Sequence, residues 1–151
     1  MRSLDKFIVT ISALAALAMP SFATAQHTAA LGDLMTALVQ PRHIKLGLAG
    51  SEQNRTYAAY ELDQLRETFA DLAEILPKYR DLSIPDLIVK EPLTALDRAI
   101  QAKDSNQFTA AYGQLTGSCN ACHRSYDRTA IVIKQPTVAA FPDQDFRPPT
   151  K

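Results

Sequence analysis

The stretch "RTYAAYELDQLRETFADLAEIL" (residues 55–76) is the clearest indication of the fold in this sequence. Apolar residues recur in it at steps of three and four, which is the period of one helix face. These positions are Leu62, Leu65, Phe69, Leu72, Ala73 and Leu76. Charged residues, among them Glu61 and Asp63, fall between them and are expected on the solvent-exposed face. The stretch therefore predicts a long amphipathic helix, which Pro77 ends.

The preceding segment, residues 28–49, repeats the helical period. Its apolar stripe consists of Leu31, Leu34, Met35, Leu38 and Val39. Pro41 interrupts the pattern and is expected to kink or split the helix, because proline lacks the N–H that a helix interior needs. Residues 50–54 are typical of a turn, with Gly50 suited to the end of a helix.

Two further helices are predicted on the C-terminal side. One segment begins near Ser83, a capping residue, and is expected to bend or break at Pro92. The last helix is predicted over residues 105–126, capped by Asp104 or Ser105.

These segments together predict an all-α fold. No stretch alternates with the period of two that a half-buried strand needs. Four helices with short connections favour an antiparallel up-down four-helix bundle over residues 26–126. Residues 127–151 hold four prolines and no helical period. Their apolar side chains (Ile131, Val132, Ile133, Phe141 and Phe146) predict an extended, proline-rich tail packed on the bundle.

The first 25 residues have the layout of a secretory signal peptide. Arg2 and Lys6 precede a short apolar run, and Ala23 and Ala25 stand at −3 and −1 of a cleavage site after Ala25. The mature protein is therefore expected outside the cytoplasm, in the periplasm of a Gram-negative bacterium. No other stretch is long enough to span a membrane. Sixteen basic residues balance sixteen acidic ones, which gives no indication of nucleic-acid binding.

The motif "CNACH" (residues 119–123) contains both cysteines of the chain. Four kinds of site use such cysteines. A zinc site needs about four ligands, and no second CxxC is present. A thioredoxin-like dithiol belongs in a βαβ context. A disulfide between Cys119 and Cys122 would close a very short loop and constrain little of the unfolded chain.

Covalent haem accounts for every residue type of this motif. Cys119 and Cys122 lie one helical turn apart, which suits two thioether bonds to the haem vinyl groups. His123 follows directly and provides an imidazole as the proximal iron ligand. CxxCH is typical of c-type haem attachment, and the predicted export agrees with it. The sequence thus predicts one covalently attached haem c.

With this motif on its last predicted helix, the chain resembles the cytochrome c′ superfamily, and within it a small set of exported proteins. The shared stretches are "PRHIKLGLAG" (residues 41–50), "AAYELDQL" (58–65), "CNACH" and "FPDQDF" (141–146). The resemblance implies a four-helix bundle with the haem on its last helix. The chain differs in the residues that follow His123, which continue for about 28 positions, and in a histidine within the first helical segment.

Which residue, if any, is the sixth iron ligand distinguishes an electron carrier from a gas-binding protein. A strong sixth ligand favours electron transfer, whereas an empty position favours binding of small gases. The candidates are His27, Met35 and His43. His27 lies at the new N-terminus and Met35 on the apolar stripe, so we select His43 as the tentative sixth ligand.

The predicted function is that of a periplasmic monohaem c-type cytochrome carrying single electrons; the alternative is binding of nitric oxide or carbon monoxide. No distal acid–base pair can be assigned, so no enzyme activity is predicted. The expected partner is another redox protein. A second copy of the chain is a further candidate, since many bundles of this type pair as dimers.

Overall fold

The computed structural model describes residues 31–76 and 89–150. Helices make up 71% of these residues and strands none of them, which confirms the all-α prediction. The predicted leader (residues 1–25), His27 and the predicted cap Ser83 lie outside the described residues.

The first helix, α1, consists of three consecutive stretches: Leu31–Leu34, the π-helical Met35–Val39 and Gln40–Ser51. The π-helical stretch stands just before Pro41, whose ring would clash with the carbonyl group four residues earlier in a regular α-helix. The backbone N–H of Gln40, the residue before the proline, instead donates a hydrogen bond to the carbonyl of Met35, five residues earlier. Pro41 therefore changes the local helix type, and the helix continues through it.

Helix α2, Arg55–Ile75, ends one residue before the predicted end. Four residues of its predicted apolar face are buried, whereas Ala73 and Leu76 are half-buried. It begins after Asn54, whose side chain accepts a hydrogen bond from the backbone N–H of Tyr57 at 3.2 Å. The buried apolar side chains are Ala58, Leu62, Leu65, Phe69 and Leu72. Each large one contributes roughly 1.5–3 kcal/mol by leaving water, which makes this helix the centre of the core.

Glu61 corrects one expectation for α2. Glu61 is only 1% exposed, so its predicted place on the solvent-exposed face is wrong. Asp63 is exposed, as expected. The carboxylate of Glu61 accepts a hydrogen bond from Nη1 of Arg42 at 3.2 Å. Helix α1 packs over this side of α2 and supplies a counter-charge, which a buried carboxylate requires.

The third helix, α3, spans Lys90–Ala102, and the fourth, α4, spans Ser105–Ser125. Pro92 lies in the first turn of α3. The segment predicted to bend at Pro92 begins near Ser83, outside the described residues, so the bend stays a prediction. Lys103 ends α3 in the left-handed conformation (φ 56°). The carboxylate of Asp104 caps α4. It accepts hydrogen bonds from the backbone N–H groups of Asn106 and Gln107, both at 2.9 Å, which confirms the predicted cap.

The helices share one core. Helix α1 packs against α2 and α4, and α3 packs against the same two helices. The largest fully buried apolar side chains come from all four: Leu46, Leu62, Leu65, Leu72, Leu96 and Leu115. This arrangement is consistent with a helical bundle.

The tail, residues 127–150, contains no helix or strand. Its apolar side chains fall into two groups. Phe146 is 5% exposed and belongs to the core, whereas Ile131 and Val132 are more than half exposed. The tail therefore contacts the helices at particular points, which include the candidate site.

Candidate functional site

The CNACH motif lies in the last two turns of α4. Cys119 and Cys122 are free thiols one turn apart, and both pack against the apolar core. Burial, and next the neighbouring Cys122, raises the pKa of Cys119 to about 11; burial also raises the pKa of Cys122. A redox dithiol depends on a lowered thiol pKa in an electropositive environment. The environment of these two cysteines differs from that of such a site.

His123 has a hydrogen bond that determines its tautomer. Its Nδ1 lies 2.8 Å from the backbone carbonyl oxygen of Ile131 in the tail. A carbonyl oxygen only accepts, so Nδ1 carries the proton and donates it. In the neutral imidazole Nε2 then bears the lone pair. A histidine that ligates a metal through Nε2 commonly has this arrangement, with its other N–H bonded to a carbonyl or carboxylate.

Asn120, between the two cysteines, binds the same tail. Its Nδ2 donates to the carbonyl of Ile133 at 2.9 Å, and its Oδ1 accepts from the N–H of Ile133 at 2.8 Å. One side-chain amide thus satisfies both backbone groups of one tail residue. Asn120 and the tail carbonyl of Ile131 are site features that the sequence analysis did not identify. An asparagine inside the motif was the only available signal, since the partner backbone is 13 residues away.

His43 lies in a closed, hydrogen-bonded environment between α1 and α4. It is 4% exposed, and its ring stacks on Tyr112 with centroids 4.8 Å apart. Nε2 is 3.0 Å from Oγ1 of Thr116, and Nδ1 is 3.1 Å from the hydroxyl of Tyr112. The Tyr112 hydroxyl also donates to the carbonyl of His43 at 2.7 Å.

The hydroxyl protons around His43 indicate its tautomer. The Thr116 hydroxyl donates to the carbonyl of Tyr112 at 2.9 Å, so its oxygen accepts from Nε2–H of His43. In the neutral ring Nδ1 is an acceptor, and the single hydroxyl proton of Tyr112 is then shared between Nδ1 and the nearer His43 carbonyl. Burial lowers the pKa of His43 to about 4, in agreement with a neutral ring. Both nitrogens of the tentative sixth ligand are therefore within hydrogen-bonding distance of hydroxyl groups.

The contacts between α1 and α4 define an antiparallel register. His43 lies opposite Thr116, a Cβ on Gly47 would meet Tyr112, and a Cβ on Gly50 would meet Phe108. We call this part, residues 40–51 against 105–116, the closed half of the interface. The remainder, residues 31–39 and 117–125, is the motif half, which contains CNACH.

This register separates His43 from His123. Thr116 precedes His123 by seven residues, which at 1.5 Å per residue is about 10 Å along the helix axis. Met35 precedes His43 by eight residues. If the register continues, Met35 lies at the level of His123. Met35 is half-buried and packs against the core.

Apolar side chains are exposed in the motif half. Leu31 is 38% and Leu38 43% exposed. Tyr126, directly after α4, is 38% exposed. Both leucines belong to the apolar stripe that the sequence shows on α1, whereas its last member, Val39, is buried. If the register continues, this apolar surface of α1 lies at the level of the CNACH motif.

The described residues contain neither a cluster of metal-binding side chains nor a helix that could cross a membrane. Within residues 31–76 and 89–150, no group of three or more His, Cys, Asp or Glu side chains is placed to hold a metal ion. In the same part of the chain, no helix has the length and apolar character to cross a membrane. Arg124 and Arg128, which follow the motif, are exposed.

Comparison with known proteins gives no further assignment. No protein-family model, no curated protein and no solved structure matches this chain.

Proposed function

We propose that this protein is an exported monohaem c-type cytochrome that carries single electrons, built on an antiparallel up-down four-helix bundle. The observation that carries the proposal is the state of His123 beside two free thiols one turn apart. Its Nδ1–H is donated to the Ile131 carbonyl, which leaves the Nε2 lone pair for a metal. The residues of the motif therefore fit haem c.

In this proposal both cysteines and the histidine of the motif have a role. Cys119 and Cys122 hold the haem through thioether bonds, and His123 is the proximal ligand. When bound, the haem supplies an iron that gains and loses one electron. The exposed Leu31 and Leu38 of the motif half are suited to covering apolar porphyrin surface and excluding water.

The sixth ligand is the open choice between His43 and Met35. His43 would have to leave its bonds with Thr116 and Tyr112, and it lies about 10 Å along the axis from the level of His123. Met35 shares that level in the extended register and is a usual haem ligand in electron-transfer proteins. The contacts therefore favour Met35 over His43.

Spectra of two variants separate these ligands. If Met35 binds the iron, Met35→Leu converts a low-spin spectrum to a high-spin one, whereas His43→Gln leaves it low-spin. The reverse result would establish His43. Leu34→Ala, on the same turn of α1, is the control for general disturbance of this helix.

The haem itself is tested by producing the full-length chain in a host that attaches haem c. The purified protein should gain the mass of one haem, stain for haem on a denaturing gel and show a Soret band. Cys119→Ala with Cys122→Ala should remove the stain. The control Ser118→Ala, next to the motif, should keep it. An unmodified mass and no Soret band in the natively produced protein would refute the proposal.

Gas binding is the second candidate, and one observation favours it. Both ring nitrogens of His43 already face hydroxyl groups; if Met35 also stays in the core, the iron keeps an open position. Titration of the ferrous protein with carbon monoxide distinguishes the functions. Rapid stoichiometric binding supports the gas-binding protein, and resistance supports the electron carrier.

The proposed location and partners follow from the sequence. Sequencing the N-terminus of the exported protein should give Gln26, as expected from cleavage after Ala25 and delivery to the periplasm. The proposed partner is a redox protein that docks transiently through a small interface. Light scattering at several concentrations tests the second proposed partner, another copy of this chain.

A further inference from the structure

The tail runs back along α4 in the direction opposite to the helix. Ile131 contacts His123, Ile133 contacts Asn120, and the side chain of Gln135 lies 3.1 Å from the position that a Cβ on Gly113 would occupy. As the tail advances, its contacts move towards the start of α4. The chain segment after the motif is thus laid against the helix that carries the motif.

The far end of the tail is fixed by aromatic burial. Phe146 stacks on Tyr57 with centroids 5.7 Å apart and is 5% exposed. Nδ2 of Asn54 donates to the carbonyl of Arg147 at 3.0 Å. Nζ of Lys45 lies 4.7 Å from the centre of the Phe141 ring. These contacts join the tail to the turn between α1 and α2, far along the chain from His123.

The near end of the tail has no comparable apolar anchor. Ile131 and Val132 are 52% and 64% exposed, so burial of these side chains does little to hold the backbone beside His123. Asn120 makes the specific contact there, through two hydrogen bonds to Ile133. Because Ile133 is two residues from Ile131, fixing its backbone also restricts where the Ile131 carbonyl points.

We propose that the tail is a strap that orients the imidazole of His123 as an iron ligand, and that Asn120 is its positioning residue. This inference rests on the proposed function. The strap presents the Ile131 carbonyl to Nδ1–H, and such a bond fixes the ring orientation and increases the basicity of the ligating nitrogen. A more basic ligand stabilises ferric over ferrous iron, so the strap lowers the midpoint potential.

The test compares Asn120→Ala with Asn106→Ala in the full-length, haem-loaded protein. Asn106 lies on the first turn of the same helix, in the closed half, and is exposed. Two quantities are measured: hydrogen exchange of the segment around Ile133, by mass spectrometry, and the midpoint potential. Asn120→Ala should speed exchange at Ile133 roughly tenfold, since its N–H loses its protein acceptor, and should shift the potential upwards. Asn106→Ala should change neither.

Asn120→Leu is a second variant in case alanine disturbs packing around the motif. It has a similar size and removes both hydrogen bonds, so the same two shifts are expected. A purely structural role for Asn120 would alter exchange and thermal stability but leave the potential unchanged.

The outcomes distinguish this inference from the proposed function. Haem attached in all variants with an unchanged potential overturns the strap and leaves the cytochrome intact. Absence of haem from the wild-type protein overturns both. Faster exchange at Ile133 together with a raised potential, in both Asn120 variants and not in the control, supports the strap.

Discussion

The two halves of the α1–α4 interface are built from the same two helices but differ in packing. In the closed half, Gly47 and Gly50 allow the rings of Tyr112 and Phe108 to lie directly against α1. In the motif half, Leu31 and Leu38 remain substantially exposed. The closed half therefore buries aromatic side chains between the two helices, whereas the motif half leaves apolar side chains of α1 exposed.

The two histidines of these helices also differ in their surroundings. His43 is buried, and both of its ring nitrogens face hydroxyl groups of α4. His123 uses one nitrogen for a tail carbonyl, and its other nitrogen bears the lone pair. The closed half thus uses both ring nitrogens of its histidine within the interface, whereas the histidine of the motif half uses one of them for the tail.

The largest expected effect comes from adding one methyl group to the closed half. In Gly50→Ala the new Cβ would overlap the buried Phe108 ring, which must then move. We expect a loss of about 3 kcal/mol or more in the free energy of unfolding measured with urea, at the upper end of the cost of overpacking. Gly117→Ala in the motif half is the matched control, because its Cβ would meet nothing within 4 Å. Equal losses at both positions would remove the distinction between the halves.

The second effect is the pH dependence that His43 contributes. Its pKa is about 4 in the folded protein, against 6.5 for an ordinary histidine. The unfolded chain therefore binds the proton more readily, and stability is full above pH 6.5 and falls as the pH decreases towards 4. The expected loss at pH 4 is roughly 3 kcal/mol. His43→Gln should remove this part of the slope in urea unfolding at several pH values; an unaltered slope would contradict the neutral, buried ring.

A smaller effect is expected from Thr116→Val. Valine has nearly the same shape but cannot accept the Nε2–H of His43, which would leave a buried donor without its partner. This should cost about 2 kcal/mol of unfolding free energy. Thr109→Val provides the control, because Thr109 is exposed on the same helix and its replacement should change stability by less than about 0.5 kcal/mol. Similar values for the two variants would mean that the His43 network contributes little.

The smallest expected effect lies in the motif half. Leu38→Gln should change the free energy of unfolding by less than about 0.5 kcal/mol, since the side chain is 43% exposed. The same substitution at Leu46, which is fully buried on α1, should cost several times more. Thermal melts of the two variants provide the comparison. A loss at Leu38 close to that at Leu46 would show that the functional protein buries this surface.

Much of the helical structure could be predicted from local signals. The periodicity of residues 55–76 and the cap at Asp104 depend on neighbours within a few positions, and both predictions are confirmed. The prediction for Glu61 failed because its burial depends on Arg42, which is 19 residues away. The environments of His43 and His123 could not be predicted from the sequence either, because the hydrogen-bonding partners of His43 lie on another helix and that of His123 lies on the tail.

From the order of residues alone it follows that the chain is helical, where α2 and α4 lie to within a residue or two, and that two cysteines and one histidine form a CxxCH motif. These properties depend on the order of residues within one or two helical turns. The folded chain was needed to show which nitrogen of His123 carries the proton, how His43 is enclosed and which tail residues contact Asn120. Those features depend on groups brought together across the fold, and a hydrogen bond between distant residues leaves no period in the sequence.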